Sequence, residues 1–164
     1  MKIQLLLVLA IFTTAVVSLT PVAKFQIDKV LNVDLNAVVY NNVNDTWASD
    51  CLGMYFRAND DKTQIFMNTT LWAKPKPENF TLTVTKNPAV WQLNTLNVVW
   101  VYADYKKEVY GFADELGMTT YILSPSWNVP KLALGEALYG LIKAGVTVQP
   151  QDMVLAPDSC HQYP

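Results

Sequence analysis

Arginine occurs once in these 164 residues, as Arg57, and histidine once, as His161. Charged residues make up only 16% of the chain, and no run of lysines stands in for the missing arginines. Gripping nucleic acid or an anionic membrane surface needs a clustered positive face, so neither is expected as a partner. One histidine in the C-terminal tail supplies no convincing general base, and no His, Cys, Asp or Glu set has metal-ligand spacing. The six glycines form no phosphate-cradling loop. Asp60-Asp61 and Asp114-Glu115 are neighbouring acids at turns, read as solvated turn residues. The sequence therefore offers no catalytic set, no cofactor motif and no metal site, and it does not read as an enzyme.

Long apolar runs are missing too, except at the start. MKIQLLLVLAIFTTAVVS, residues 1–18, has Lys2, an apolar core too short to span a bilayer, and small or β-branched residues at its end. That pattern predicts a secretory signal peptide, followed by a single domain over 19–164 with no integral membrane segment. Removing Lys2 leaves eleven basic residues against fourteen acids, a net charge of −3. In an oxidising compartment the only two cysteines, Cys51 and Cys160, are expected to bond to each other. Acceptor sequons at Asn44, Asn68 and Asn79 agree with a secreted glycoprotein.

What the chain has in quantity is short alternating segments. Leu52, Met54 and Phe56 alternate with Gly53, Tyr55 and Arg57, the period of a strand. Asn59-Asp60-Asp61 turns the chain into a return strand over 63–71. Further β-prone segments fall at 37–40, 80–85, 90–93, 98–102, 109–112 and 119–123, each bounded by turn residues. Only 130–145 breaks this pattern. There Leu134, Ala137, Leu138, Leu141 and Ile142 fall at helical spacing between Pro130 and Gly145. Gly135 and Gly140 weaken that helix, so packing must hold it. A short β-prone piece, 153–155, precedes Cys160.

Eight antiparallel strands leave two raw edges unless the sheet closes, and eight suits a barrel that is filled or holds one small ligand. A sandwich uses the same strand pattern. The single late helix and the cysteine-bearing tail favour an all-β, eight-stranded up-and-down barrel with one C-terminal helix packed outside.

This order and these residues resemble the lipocalin family, in its apolipoprotein D-like and bacterial lipocalin-like group. Ser49-Asp50-Cys51 followed by LGMYFRANDDKTQIFMN is similar to the family's cysteine-opened strand pair, and LAPDSC at 155–160 to the tail that bonds it. Val101-Tyr102-Ala103-Asp104-Tyr105 resembles the second signature, with Ala103 where the family has Thr. Tyr121-Ile122-Leu123-Ser124 resembles the third, with Pro125 in place of its Arg. The first signature, Gly-x-Trp, has no counterpart in 34–40. In the family that Trp and that Arg meet across the barrel floor, so both halves of one contact are absent together.

The resemblance implies a secreted carrier for a small hydrophobic molecule of lipid, fatty acid, retinoid or steroid class. It turns Leu52, Met54 and Phe56 inward as ligand-binding residues, with Tyr121 and with Trp100 and Tyr102 of the sixth strand. Asn68 has two incompatible readings, an inward hydrogen bond to ligand or an outward sequon, and the sequon is preferred. The alternative function is a barrel plugged by its own side chains, Met54, Phe56, Trp100 and Tyr121 among them, whose surface binds a protein partner.

Overall fold

A computed structural model describes residues 18–41, 51–72, 77–116, 119–147 and 152–163. The expected signal peptide, up to residue 17, and the sequon at Asn44 lie outside the described residues. Strands β1 (Asp34–Asn41), β2 (Leu52–Ala58), β3 (Gln64–Leu71), β4 (Glu78–Val84), β5 (Val90–Leu93), β6 (Leu96–Asp104), β7 (Val109–Asp114) and β8 (Thr120–Ser124) pair antiparallel in sequence order. Helix α1 (Lys131–Lys143) follows, then a short strand β9 (Met153–Leu155). Pairing of β8 with β1 and of β1 with β2 closes the barrel, and β9 lies outside it against β1.

Closure at β1–β2 is brief. Only Asp34, Leu35 and Asn36 find partners, at Tyr55, Met54 and Gly53. Beyond that point β1 changes partner, and Val39 to Asn41 pair with β9. The seam is extended on both sides by other means. On one side the Asn32 N–H donates to the Phe56 carbonyl at 2.8 Å beside a parallel bridge from Leu31 to Phe56. On the other a disulfide joins Cys51, immediately before β2, to Cys160, with Cα atoms 5.3 Å apart. Gly53 leaves its outer face bare for Trp72, whose indole nitrogen would lie 2.5 Å from any Cβ placed there. Trp72 stacks in turn on Tyr163 at 6.4 Å. The tail is thus tied to the wall by a covalent bond and by ring packing.

Two clusters of buried side chains divide the molecule. One occupies part of the barrel interior and lines the rest, and the other lies between the outer wall and α1. Interruptions of register in β1 at Val38 and in β6 at Val101 sort residues between them. Each extra residue breaks the strict alternation of the strand. As a result Val38 and Val39 both face outward, as do Val101 and Tyr102, while Tyr40 returns to the interior.

Helix α1 ends as its sequence predicts. Gly145 has φ 94°, and the Gly145 and Val146 N–H groups donate to the carbonyls of Ile142 and Leu141 at 3.0 Å. Those are the two bonds of a Schellman cap, for which the left-handed residue is normally glycine. The buried face differs from the expected one at two positions, gaining Ala133 and losing Ile142, while Leu134 and Leu138 are half-buried. Ala133, Ala137 and Leu141 are buried, whereas Ile142 is 54% exposed beside exposed Leu132 and Tyr139. The small side chains bring the helix close to the wall, and that rotates Ile142 out. Closest approach occurs at Tyr102, which packs against Gly140 of the helix and Gly111 of β7.

The two helix glycines therefore respond oppositely to a methyl group. A Cβ on Gly135 meets nothing within 4 Å, so Gly135→Ala is expected to stabilise the protein by about 1 kcal/mol through helix propensity. A Cβ on Gly140 would lie 2.3 Å from the Tyr102 ring, so Gly140→Ala is expected to destabilise by about 1–3 kcal/mol despite the same propensity gain. Urea denaturation of both variants checks the signs. The Cys51–Cys160 bond closes a sequence separation of 109 residues, and replacing both by Ala is expected to cost about 2–5 kcal/mol. Non-reducing peptide mapping should return the linked pair, and an unchanged denaturation midpoint would show that the seam holds without it.

Candidate functional site

The interior alternation expected from the sequence has a different outcome in the two halves of the barrel. Toward the ends of β3, β5 and β7, alternate residues enclose an open cavity of about 240 Å³. Leu52 and Met54 of β2 line it, as do Met67 and Thr69 of β3 and Phe80 and Leu82 of β4. Val98, Phe112 and Tyr121 complete the wall from β6, β7 and β8. One alternation further along the same strands, the side chains are larger and the space is filled. Phe56 follows Met54, Trp100 follows Val98, and both are fully buried.

Those residues belong to an aromatic floor. Trp100 lies 4.7 Å from Phe112, 5.1 Å from Trp91 and 5.7 Å from Phe56, measured between ring centres. From outside the strands Phe25 stacks on Trp100 at 5.2 Å, brought there by the segment that crosses the barrel end. The Val22 N–H donates to the Trp100 carbonyl at 2.8 Å and pins that segment. The Trp91 indole donates to the Pro88 carbonyl at 2.9 Å. The Trp100 indole N–H is buried with no partner among the described residues, at a cost of about 1–3 kcal/mol. Nothing in the period of residues 19–33 marked Phe25 or Val30 as core, because that segment crosses the barrel end instead of following a strand or helix. At the end where the missing signatures left no expected closure, Asn36 Nδ2 donates to the Pro125 carbonyl at 3.2 Å.

Of the six residues read as ligand-facing, the structure brings Leu52, Met54 and Tyr121 to the cavity wall. It places Phe56 and Trp100 beneath the cavity, in the floor. Tyr102 lies on the opposite side of the wall, under α1, because the extra residue at Val101 turns it outward. Burial raises the Tyr102 phenol pKa, with Asp104 and Glu136 adding to the effect.

The rim holds the correction that matters most. Asp114 is no solvated turn residue; it is 7% exposed and lines the cavity. Its carboxylate accepts the Leu116 N–H at 2.9 Å and the Thr119 N–H at 2.7 Å, so the turn after β7 is built around it. Strand alternation from Tyr110 through Phe112 carried the signal. Glu115 is engaged too, accepting from Asn97 Nδ2 at 2.7 Å. Asp60 and Asp61, by contrast, are exposed at the turn between β2 and β3. There Asp61 accepts from the Thr63 hydroxyl and N–H at 2.6 and 3.0 Å, which lowers its pKa.

Asn68 sits on the outer face of β3, between inward Met67 and Thr69, and is directly opposite Asn79 of β4. The inward reading of Asn68 is therefore set aside. Two wider grooves, of about 410 and 460 Å³, lie outside the barrel along Pro21 and are open to solvent. Among the described residues no group of three His, Cys, Asp or Glu side chains could hold a metal ion. No described helix is long and apolar enough to cross a membrane.

Below the floor, burial first and then Glu108 push the phenol pKa of Tyr110 from 10.0 up to about 12. Its hydroxyl donates to the Lys29 carbonyl at 3.4 Å. Between pH 10 and about 12 the unfolded chain releases this proton while the folded chain keeps it. Stability from Tyr110 is therefore complete below that window and lost as pH rises through it. Urea midpoints on either side of the window should fall with pH, and less steeply in Tyr110→Phe.

Comparison of the chain with protein-family models finds no match, and comparison with curated proteins finds no significant similarity.

Proposed function

We propose that this protein is a secreted carrier of lipocalin type that holds a small hydrophobic molecule reversibly in the open half of its barrel. The observation that carries the reading is the cavity of about 240 Å³, walled by alternate apolar residues of successive strands and floored by packed aromatics. Such a site takes its affinity from apolar burial, at roughly 25 cal/mol per Å² before entropic costs. Secretion is supported by the disulfide, by the apolar segment with Lys2 at the start of the chain, and by the sequons at Asn68 and Asn79. The reading assigns no catalytic chemistry to the chain.

A second reading, a surface-acting protein with a filled barrel, has its own observation. The lower half of the interior is occupied by Phe56, Trp91 and Trp100, and α1 exposes Leu132, Tyr139 and Ile142. The two readings part on ligand response. At a hundredfold excess over Kd a bound ligand stabilises by about 2.7 kcal/mol, which for a chain of this size raises the melting temperature by roughly 5–10 °C. Compact neutral apolar probes are expected to give such a shift and to perturb the fluorescence of buried Trp91 and Trp100. Absence of both effects across a panel of such probes would sink the carrier reading.

A further inference from the structure

The aromatic floor sets a length for whatever enters above it. We infer that the cavity selects compact apolar ligands of about ten heavy atoms, and that Phe56 is the side chain that fixes this limit. The inference rests on the carrier reading and narrows its ligand class, against the longer acyl, retinoid and steroid skeletons.

Volume comes first. An apolar cavity of about 150 Å³ holds one benzene, so about 240 Å³ accommodates roughly ten heavy atoms by proportion. A single substituted ring, or a chain of roughly nine carbons with its end group, fills that space. The cavity is open to solvent, so the surplus atoms of a longer ligand would stand in its mouth. There they stay in water and gain nothing from burial.

The stop comes second. On β2 the inward residues Leu52 and Met54 line the cavity, and the next, Phe56, is fully buried beneath them. The Phe56 ring lies 5.4 Å from Trp91, 5.7 Å from Trp100 and 6.2 Å from Phe112, measured between ring centres. On β3 and β8 the next inward residues after the lining are Ile65 and Leu123, also fully buried. At interior packing density this layer leaves no path for a chain end.

Phe56 is the member of that layer whose ring can be removed alone. Trp100 is held by Phe25 and by the Val22 bond to its carbonyl, and Trp91 by its indole bond to Pro88. Trp91, Trp100 and Phe112 also pack on one another without it. Because Phe112 both lines the cavity and packs on Phe56, space vacated by the Phe56 ring adjoins the open half. Truncating Phe56 therefore deepens the cavity and leaves a floor beneath it.

The test uses the mature, disulfide-bonded protein and a series of straight-chain primary alcohols, with retinol beside them, measured by calorimetry. Affinity is expected to rise about fourfold per methylene up to roughly nine carbons and then to level off. Retinol should bind no tighter than the alcohol at that break. In Phe56→Ala the rise should continue for about four more carbons, because the vacated space closes only in part. Val98→Phe, which adds bulk to the open half, should move the break to shorter chains. Affinity that keeps climbing through fourteen carbons in the unsubstituted protein, or tighter binding of retinol, overturns the inference and leaves the carrier reading standing. A break that stays in place in both folded variants overturns it as well. Absence of binding by every alcohol also overturns it, and the carrier reading falls too only if naphthalene fails to bind.

Discussion

The barrel depends on a seam three residue pairs long. Strand β1 holds β2 only through Asp34, Leu35 and Asn36, and without that contact the sheet would be an open ribbon with two raw edges. So short a ladder is weak by itself, and the surrounding structure reinforces it from both ends. The 31–32 segment bridges to Phe56 on one side, and the Cys51–Cys160 bond with β9 takes over on the other. Linking residues so far apart in sequence restricts the unfolded chain most strongly, by about 4–5 kcal/mol in the chain-entropy account. The disulfide thus reinforces a closing ladder of only three residue pairs.

Closure creates an inside and an outside, and two extra residues decide which side chain goes where. Val38 and Val101 break the alternation of β1 and β6, so each strand presents two successive residues to the outer cluster. Tyr102 is the clearest consequence. It becomes the surface on which α1 rests: its ring occupies the space a side chain at Gly140 would need, and its Cβ together with Leu141 occupies that space at Gly111. A helix weakened by two glycines is held by that contact and by a well-formed C-terminal cap.

Inside, the same alternation gives a half-filled barrel. Phe25, Phe56, Trp91 and Trp100 together exhaust the volume of one half, while smaller Leu, Met, Val and Thr side chains leave the other half open. The aromatic floor is therefore what gives the cavity its depth. It also explains why a list of inward residues overestimates the site: inward-facing and cavity-lining are different properties once large side chains fill part of the interior.

Much of this was legible in the sequence, because strand and helix periods are local. The eight strands, the single late helix and the Gly145 cap follow from spacing alone, and the scarcity of cysteine left one pairing to expect. Alternation puts Leu52 and Met54 on one face, and the family resemblance implied that this face and Tyr121 look inward, where the structure has them. Tyr102, Phe25 and Ile142 do not follow from local period. An extra residue in β6 reverses Tyr102, and a segment without regular structure delivers Phe25 to the floor. Small side chains facing the wall set the helix rotation that exposes Ile142, whereas Asp114 continues the alternation of β7 from Phe112 to the rim. Period depends on neighbours along the chain, whereas burial depends on what distant segments bring to the same place. Local order could therefore be read from the residues, and the contents of the cavity were decided by closure.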